Sequence, residues 1–162
     1  MTDNPKPSKI DSYFYVTDET VYGFFKDYRF LSNYHISPVS YQGLHFTCSE
    51  AAYQGAKCLD PKDMVAFTTM TPSQARATGQ VVQMRKDWEQ IKLKVMTDVL
   101  YSKFSISDEL RTKLLETGER DLIEANHWGD RFWGVDAETG LGESWLGKIL
   151  MGIRHTFSII NI

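Results

Sequence analysis

The chain has 162 residues, of which 42% are hydrophobic and 13% aromatic, and its formal net charge is −3 at pH 7. This length and composition predict an ordinary globular domain with a substantial core. Acidic and basic residues are well mixed, which argues against a dedicated binder of long nucleic acid, although a few local cations could hold a small phosphorylated ligand.

The N-terminal residues 1–11 are polar, contain two prolines and show no hydrophobic periodicity. We therefore expect a flexible lead-in at 1–11 and one domain at 12–162. The chain shows no apolar signal core and no run long enough to span a membrane. Cys48 and Cys58 are the only cysteines, and their spacing within one predicted helix is too wide for a disulfide. These features predict a cytoplasmic protein without membrane contact.

The region before residue 47 predicts strands. Its short stretches are rich in aromatic and β-branched residues and are broken by glycine and polar turns. Two of the predicted strands are joined by a turn at Gln42 and Gly43. Thr47 and Glu50 then fit a capping box, with Thr47 as the N-cap of the first helix.

Helices dominate the remaining chain. Asp60-Pro61 and Thr71-Pro72 each combine an N-cap residue with proline at the first helical position. The longest predicted helix is RKDWEQIKLKVMTDVLYSKF, whose apolar stripe is typical of a face packed on a core. Ser107 begins another helix, and SWLGKILMGIRHTF closes the chain. The predicted fold class is α+β, a helix-rich domain with a small N-terminal antiparallel sheet.

The first helix carries an unusual polar row. Glu50, Gln54 and Lys57 are spaced by four and three residues, so they share one face of the predicted helix. A capping glutamate on a solvated face would explain the row without any function. The opposite faces carry alanine and leucine, however, and the segment just upstream offers Asn33 and several rings. The row could therefore form the wall of a pocket.

Two other regions carry candidate functional residues. The loop LIEANHWGDRFWG contains Asp130, Trp133 and Gly134; it is either clamped onto the core by its tryptophans or delivers Asp130 to a cleft. Arg76 and Arg85 lie near predicted helix ends and could hold phosphate, or they belong to an exposed basic face. No CxxC pair, HExxH motif or histidine-rich run is present, so a structural zinc site is not expected.

In chain order, these segments resemble the NADAR, or YbiA-like, family of N-glycosidases. The matching segments run from about residue 24 to residue 154 and are FKDYRFLSNY, TCSEAAYQGAK, ARATGQ, RKDWEQIKLKVM, YSKF, DRFWG and LGKILM. The resemblance implies a helix-rich α+β fold, no metal and no cofactor. It also implies cleavage of the bond between a ribose anomeric carbon and a nitrogen.

Several positions match the family pattern residue by residue. Glu50 and Lys57 match its helical acid and amine, and Gln54 matches the amide between them. Asn33 matches the asparagine of the LSN motif, and Trp88 matches the tryptophan of the long helix. Asp130, Trp133 and Gly134 match the D-aromatic-aromatic-W-G loop. One position departs from the pattern: this chain has Ser144 where the family has asparagine in Gly-x-Asn-x-Leu-Gly.

The resemblance gives these residues expected roles. Cleavage develops positive charge at the anomeric carbon and negative charge on the leaving nitrogen. Glu50 and Asp130 would divide the roles of charge stabiliser and acid, in an order that the sequence leaves open. Lys57 would hold the substrate as a cation or attack the sugar as a neutral amine, and its proximity to Glu50 favours the cation.

The remaining roles concern binding. Trp88 or Trp133 would stack on the heterocycle, and Arg76 and Arg85 would face the phosphates. The family's substrates imply a sugar-nucleotide partner. ADP-ribosylated guanine, with transient contact to modified nucleic acid, is preferred over a phosphorylated ribosylamino-pyrimidine of riboflavin synthesis. A non-catalytic module for ADP-ribose or NAD, and a structural protein with aromatic core residues, are the alternatives.

Overall fold

The computed structural model of the protein describes residues 13–160. The predicted lead-in at 1–11 lies outside these residues. The chain divides into two compact units, each built from two sequence segments. Of the described residues, the first unit contains 13–32 together with Gly118–Met151, and the second contains Asn33–Thr117 and 152–160. The single domain predicted at 12–162 stays a prediction.

The first unit contains two small sheets. Strands β1 (Tyr15–Val16) and β2 (Thr20–Tyr22) pair antiparallel, and β5 (Asp121–Ile123) joins β2 in parallel. Val21 and Leu122 face each other in this register, and both are fully buried. Strands β6 (Ala125–Asn126) and β7 (Val135–Asp136) form a second, parallel pair. A 3₁₀ helix spans Lys26–Leu31.

The second unit begins with a β-hairpin. Strands β3 (Ile36–Tyr41) and β4 (Leu44–Cys48) pair antiparallel. Gln42 and Gly43 connect them with φ angles of 47° and 78°. Two consecutive positive φ angles are what a type I′ turn requires, and that turn matches the twist of a hairpin. The predicted hairpin is confirmed.

Helices follow the hairpin. Helix α1 spans Ser49–Gly55, and a 3₁₀ helix spans Pro61–Thr69. Helices α2 (Pro72–Gly79), α3 (Trp88–Ile106) and α4 (Asp108–Glu116) complete the first segment of this unit. Helix α5 (Trp145–Ile160) begins in the first unit and ends in the second. The buried stripe of α3 contains Trp88, Val95, Met96, Val99, Leu100 and Phe104.

The α+β fold class and most helix starts are confirmed. Thr71 and Gln74 form a complete capping box, and the Ser107 side chain accepts the Leu110 amide. The element that starts at Asp60 is a 3₁₀ helix rather than an α-helix. No helix between residues 13 and 160 is long and apolar enough to cross a membrane.

Two local predictions around α1 were wrong. The N-cap is Cys48, whose Sγ accepts the Ala51 amide at 3.4 Å. Thr47 instead donates its hydroxyl to the Met70 carbonyl oxygen at 2.7 Å. The two cysteines do not share a helix, because α1 lies between them; both are free and buried.

Candidate active site

The hairpin and α1 together position Glu50. Strand β4 ends directly at the helix, so Glu50 falls in the first helical turn. Its backbone amide donates to the Asn33 carbonyl oxygen at 3.1 Å, which ties the LSN segment to the start of α1. The Glu50 side chain is 8% exposed. A carboxylate buried to this extent is rarely a solvated surface group.

Gln54 lies one turn after Glu50, on the same face. Its Nε2 donates to Glu50 Oε1 at 2.8 Å. Asn33 lies near Glu50 in space, through the hydrogen bond between its carbonyl oxygen and the Glu50 amide, and its Nδ2 donates to the sulfur of Met96 at 3.5 Å. Among the described residues, neither Asn33 Oδ1 nor Gln54 Oε1 has a hydrogen-bond partner. Buried acceptors without partners are costly and need an explanation.

Lys57 lies beyond the end of α1, not within it as predicted. The helix ends at Gly55, and the Lys57 carbonyl oxygen accepts the Arg85 amide at 2.9 Å. The Lys57 Nζ lies 5.5 Å from the centroid of the Tyr53 ring and 5.9 Å from that of Trp88. The two rings are themselves in contact, with centroids 5.0 Å apart. The amine therefore sits against an aromatic wall.

The environment of Lys57 changes its protonation. Burial lowers the pKa of the amine below its ordinary value, because an ammonium loses hydration there. The negative charge of Glu50 counteracts part of this effect, and the positive charge of Arg76 adds to it. A larger fraction of Lys57 is thus neutral than in an exposed lysine.

Trp88 and the two arginines occupy different positions around this row. Trp88 is only 4% exposed and packs against Tyr53, so most of its ring is already covered. Arg76 is exposed on α2. Arg85 binds Asp87 through two hydrogen bonds, of 2.6 and 3.0 Å. It lines a surface cleft of about 310 Å³ with Cys58, Leu59, Pro61, Lys86 and Asp87.

The first unit holds the second group of predicted site residues. The Asp130 Oδ1 accepts the backbone amides of Phe132 at 3.1 Å and Trp133 at 2.9 Å. The Asn126 side chain binds the backbone of Asp130 twice. Its Nδ2 donates to the Asp130 carbonyl oxygen at 2.7 Å, and its Oδ1 accepts the Asp130 amide at 3.1 Å. Asn126 is fully buried. These bonds hold the loop in one conformation.

Trp133 and Gly134 follow in the same loop. Trp133 is half-buried and contacts Phe132 edge-on, with ring centroids 4.9 Å apart. A Cβ atom on Gly134 would lie 2.3 Å from the Glu124 carbonyl oxygen. Only glycine therefore allows β6 and the segment before β7 to approach this closely.

The structure thus brings Asn33, Glu50, Gln54, Lys57 and Trp88 together within the second unit. Asp130, Trp133 and Gly134 belong to the first unit, and their convergence with Glu50 stays a prediction. Sequence reasoning did not assign roles to Tyr53 or Asn126. The spacing of four residues between Tyr53 and Lys57 was a usable signal, whereas nothing in the sequence indicates the two hydrogen bonds of Asn126. No three His, Cys, Asp or Glu side chains of residues 13–160 gather to hold a metal ion.

Comparison with known protein families shows to which family the chain belongs. The family model described as the NADAR domain matches residues 13–158. The chain belongs to the NADAR family. An N-glycosidase from Nostoc punctiforme is 32% identical over 140 residues, which cover 83% of this chain and 88% of that protein. The N-glycosidase YbiA from Escherichia coli is 32% identical over 151 residues, which cover 90% of this chain and 93% of that protein.

Structural comparison supports the same family. The NMR structure of E. coli YbiA has a TM-score of 0.78 and 31% identity, covering 92% of this chain and 90% of that one. A riboflavin biosynthesis protein from Vibrio vulnificus is 32% identical over 146 residues, which make up 88% of this chain but 37% of that larger protein.

Within the NADAR pattern, the departure at Ser144 has a backbone explanation. Ser144 has a φ of 47°, in the left-handed region. Asparagine tolerates that region better than most residues, so the asparagine expected from the resemblance would also fit this backbone conformation. The Ser144 Oγ accepts the Glu124 amide at 3.3 Å, and the Ser144 amide donates to the Gly134 carbonyl oxygen at 3.1 Å. The serine therefore connects α5 to the loop that carries Gly134.

Proposed function

We propose that this protein hydrolyses the bond between the ribose of ADP-ribose and a guanine base, in nucleosides or nucleic acid. The class of reaction follows from the family. The chain is an enzyme, a hydrolase of N-glycosyl bonds, since relatives 32% identical over most of its length are named N-glycosidases. The substrate and the residue roles below are our proposal, as is a cytoplasmic location.

The cluster of Glu50, Gln54 and Lys57, in which the first two residues are buried and Lys57 is half-buried, carries this proposal. N-glycoside cleavage passes through a positively charged, oxocarbenium-like sugar, and a carboxylate held beside the anomeric carbon stabilises it. The hydrogen bond that Gln54 donates to Glu50 holds the carboxyl group in a fixed orientation. The unpartnered Oδ1 of Asn33 is suited to accept a hydrogen bond from a ribose hydroxyl.

Lys57 has two candidate roles, and the lowered pKa of its amine makes the second available as well as the first. As a cation it would hold a ribose hydroxyl or a phosphate oxygen. As a neutral amine it would attack the anomeric carbon while the base leaves with a proton from an acid. The sugar ring would then open to an imine, which water hydrolyses to regenerate the amine. The lowered pKa of Lys57 increases the neutral fraction and so supports the amine.

The other groups complete the proposed site. Asp130, whose backbone is held by Asn126, would be the second carboxylate in this proposal and would serve the leaving nitrogen. Trp133, which is only half-buried, has more ring surface for a heterocycle than the covered Trp88. Arg76 and Arg85 are the proposed phosphate ligands, and the Arg85 guanidinium would have to share its hydrogen bonds with Asp87.

The alternative substrate is a phosphorylated ribosylamino-pyrimidine. The similarity to a riboflavin biosynthesis protein of Vibrio vulnificus favours it. Incubation of the enzyme with ADP-ribosylated guanosine, an ADP-ribosylated oligonucleotide and the pyrimidine compound, followed by mass spectrometry, separates the candidates. We expect free ADP-ribose. Release of ribose phosphate from the pyrimidine compound alone would replace our substrate. Thermal stabilisation by ADP-ribose without release from any compound would indicate a binding module.

Variants test the residue roles in the same assay. Glu50→Gln keeps the side-chain shape, so we expect a folded protein with kcat lowered by about 100-fold or more. Glu109→Gln is the matched control, because Glu109 also lies in the first turn of a helix but is exposed and paired with Lys113. Wild-type turnover in Glu50→Gln would remove Glu50 from the mechanism. Borohydride trapping of a sugar adduct on Lys57 would support the imine, and its absence would favour the cation.

A further inference from the structure

Gly79, the last residue of α2, lies against the side chain of Gln54. A Cβ atom built on Gly79 would lie 2.0 Å from Gln54 Oε1, 2.8 Å from its Cδ and 3.0 Å from its Cβ. The amide of Gln54 thus occupies the space that any larger residue would fill. No residue other than glycine at position 79 leaves this amide in place.

The backbone of Gly79 gives no other reason for glycine. Its φ is not in the left-handed region, and the next residue, Gln80, is also in the right-handed helical conformation. Glycine in a helix is disfavoured relative to alanine. The residue therefore lowers the stability of α2 and makes room for Gln54.

The Gln54 amide is held in one orientation between two groups. Its Nε2 donates to Glu50 Oε1, and its Oε1 packs over Gly79 without a hydrogen-bond partner in the described part of the chain. A flipped amide would place its oxygen against the Glu50 carboxylate, which is repulsive. Gly79 and Glu50 thus fix the amide from opposite ends.

We propose that Gly79 is a positioning residue, which sets the orientation of the Glu50 carboxylate through the amide of Gln54. This inference rests on the proposed function, in which Glu50 touches the reacting sugar. Gly79 would act on Glu50 indirectly, because the nearest atoms to a Cβ at position 79 all belong to Gln54. An added methyl group would displace the amide and, with it, the hydrogen bond that orients the carboxylate.

The test compares Gly79→Ala with Gly152→Ala. Gly152 lies in α5, and a Cβ there would meet no atom within 4 Å. With the N-glycoside that the wild type hydrolyses, we expect Gly79→Ala to lower kcat by about tenfold, since small displacements of reacting groups are costly. KM should change by less than about twofold, and Gly152→Ala should behave as wild type.

A double-mutant cycle identifies the route of the effect. In a Gln54→Ala background, Gly79→Ala should lower kcat by less than about twofold further, because the amide that it displaces is absent. Equal losses in both backgrounds would overturn the proposal, and so would wild-type kcat in Gly79→Ala.

The contact itself is measurable in the unmodified protein. We expect an NMR cross-relaxation signal between the Gly79 Hα and the Gln54 side chain, and its absence would overturn the proposal without any variant. Different results would contradict the proposed function and the role of Gly79. Full activity of Glu50→Gln contradicts the proposed function, whereas an inactive Glu50→Gln beside a fully active Gly79→Ala contradicts only the role of Gly79.

Discussion

At the scale of single residues, Lys57 is subject to two opposing effects. The rings of Tyr53 and Trp88, at 5.5 and 5.9 Å, attract an ammonium group. Both distances are near the outer limit of a cation–π contact, about 6 Å, so this attraction is weak. Loss of hydration by burial is the larger effect and lowers the pKa of the amine. The site thus gives Lys57 a larger fraction of the reactive, neutral amine than an exposed lysine has.

This balance predicts a pH-dependent effect on stability. The pKa of Lys57 in the folded protein lies below its ordinary value of 10.5, so the unfolded chain binds more protons between the two values. Stability therefore rises with pH across that window, and protonated Lys57 destabilises the fold at lower pH. We expect Lys57→Met to raise the Tm by a few degrees near neutral pH and to lose that advantage as the pH approaches 10.5.

Thermal unfolding at about pH 7 and about pH 10 measures this difference. Lys86→Met is the control, because Lys86 is exposed and should give no gain at either pH. A Lys57→Met variant that is less stable than wild type near neutral pH would show that contacts of the ammonium group outweigh its burial.

At the scale of elements, the β3–β4 hairpin determines where Glu50 lies. The register pairs Tyr41 with Leu44 and Val39 with Phe46. Strand β4 ends at Cys48, and α1 begins at the next residue, Ser49. A slip of one residue would turn every side chain of β4 to its other face. The turn at Gln42 and Gly43 fixes this register.

The turn predicts opposite effects of two substitutions. Asparagine is preferred over glutamine at the first central position of a type I′ turn, so Gln42→Asn should stabilise the protein by about 0.5 kcal/mol. Gly43 has a φ of 78° with open space around it, and Gly43→Ala should cost about 1 kcal/mol through backbone strain alone. Urea unfolding measures both changes. Loss of stability in Gln42→Asn would contradict the type I′ assignment.

The same elements show what the sequence could predict. Periodicity located the long helices because an apolar stripe repeats over many residues, and the Gln42-Gly43 turn located the hairpin. The N-cap was misplaced by one residue because the tertiary bond from Thr47 to Met70 removes the better capping group. The end of α1 was missed because Gly55 reads as an ordinary helical glycine. In the structure it allows close contact, since a Cβ there would lie 3.0 Å from Met64 and 3.1 Å from Phe67.

At the scale of the whole molecule, the candidate site combines segments that are far apart in sequence. Within the second unit, Asn33, Glu50 and Trp88 come from three separate segments, and only the short spacings along residues 50–57 were visible as a local pattern. The resemblance to the NADAR family supplied the rest, because it records which distant residues recur together. Strands β5, β6 and β7 have only two or three residues each and no readable alternation.

The net charge of the whole protein bears on whether it binds a nucleotide alone or a longer stretch of nucleic acid. With a net charge of −3, the protein lacks the basic surplus that neutralises many phosphates. We therefore expect kcat/KM for an ADP-ribosylated oligonucleotide to fall only weakly with salt, with a logarithmic slope of about −1 to −2. ADP-ribosylated guanosine measured across the same salt range is the control. A steep slope for the oligonucleotide, of about −5 or beyond, would indicate an extended contact with the nucleic-acid backbone.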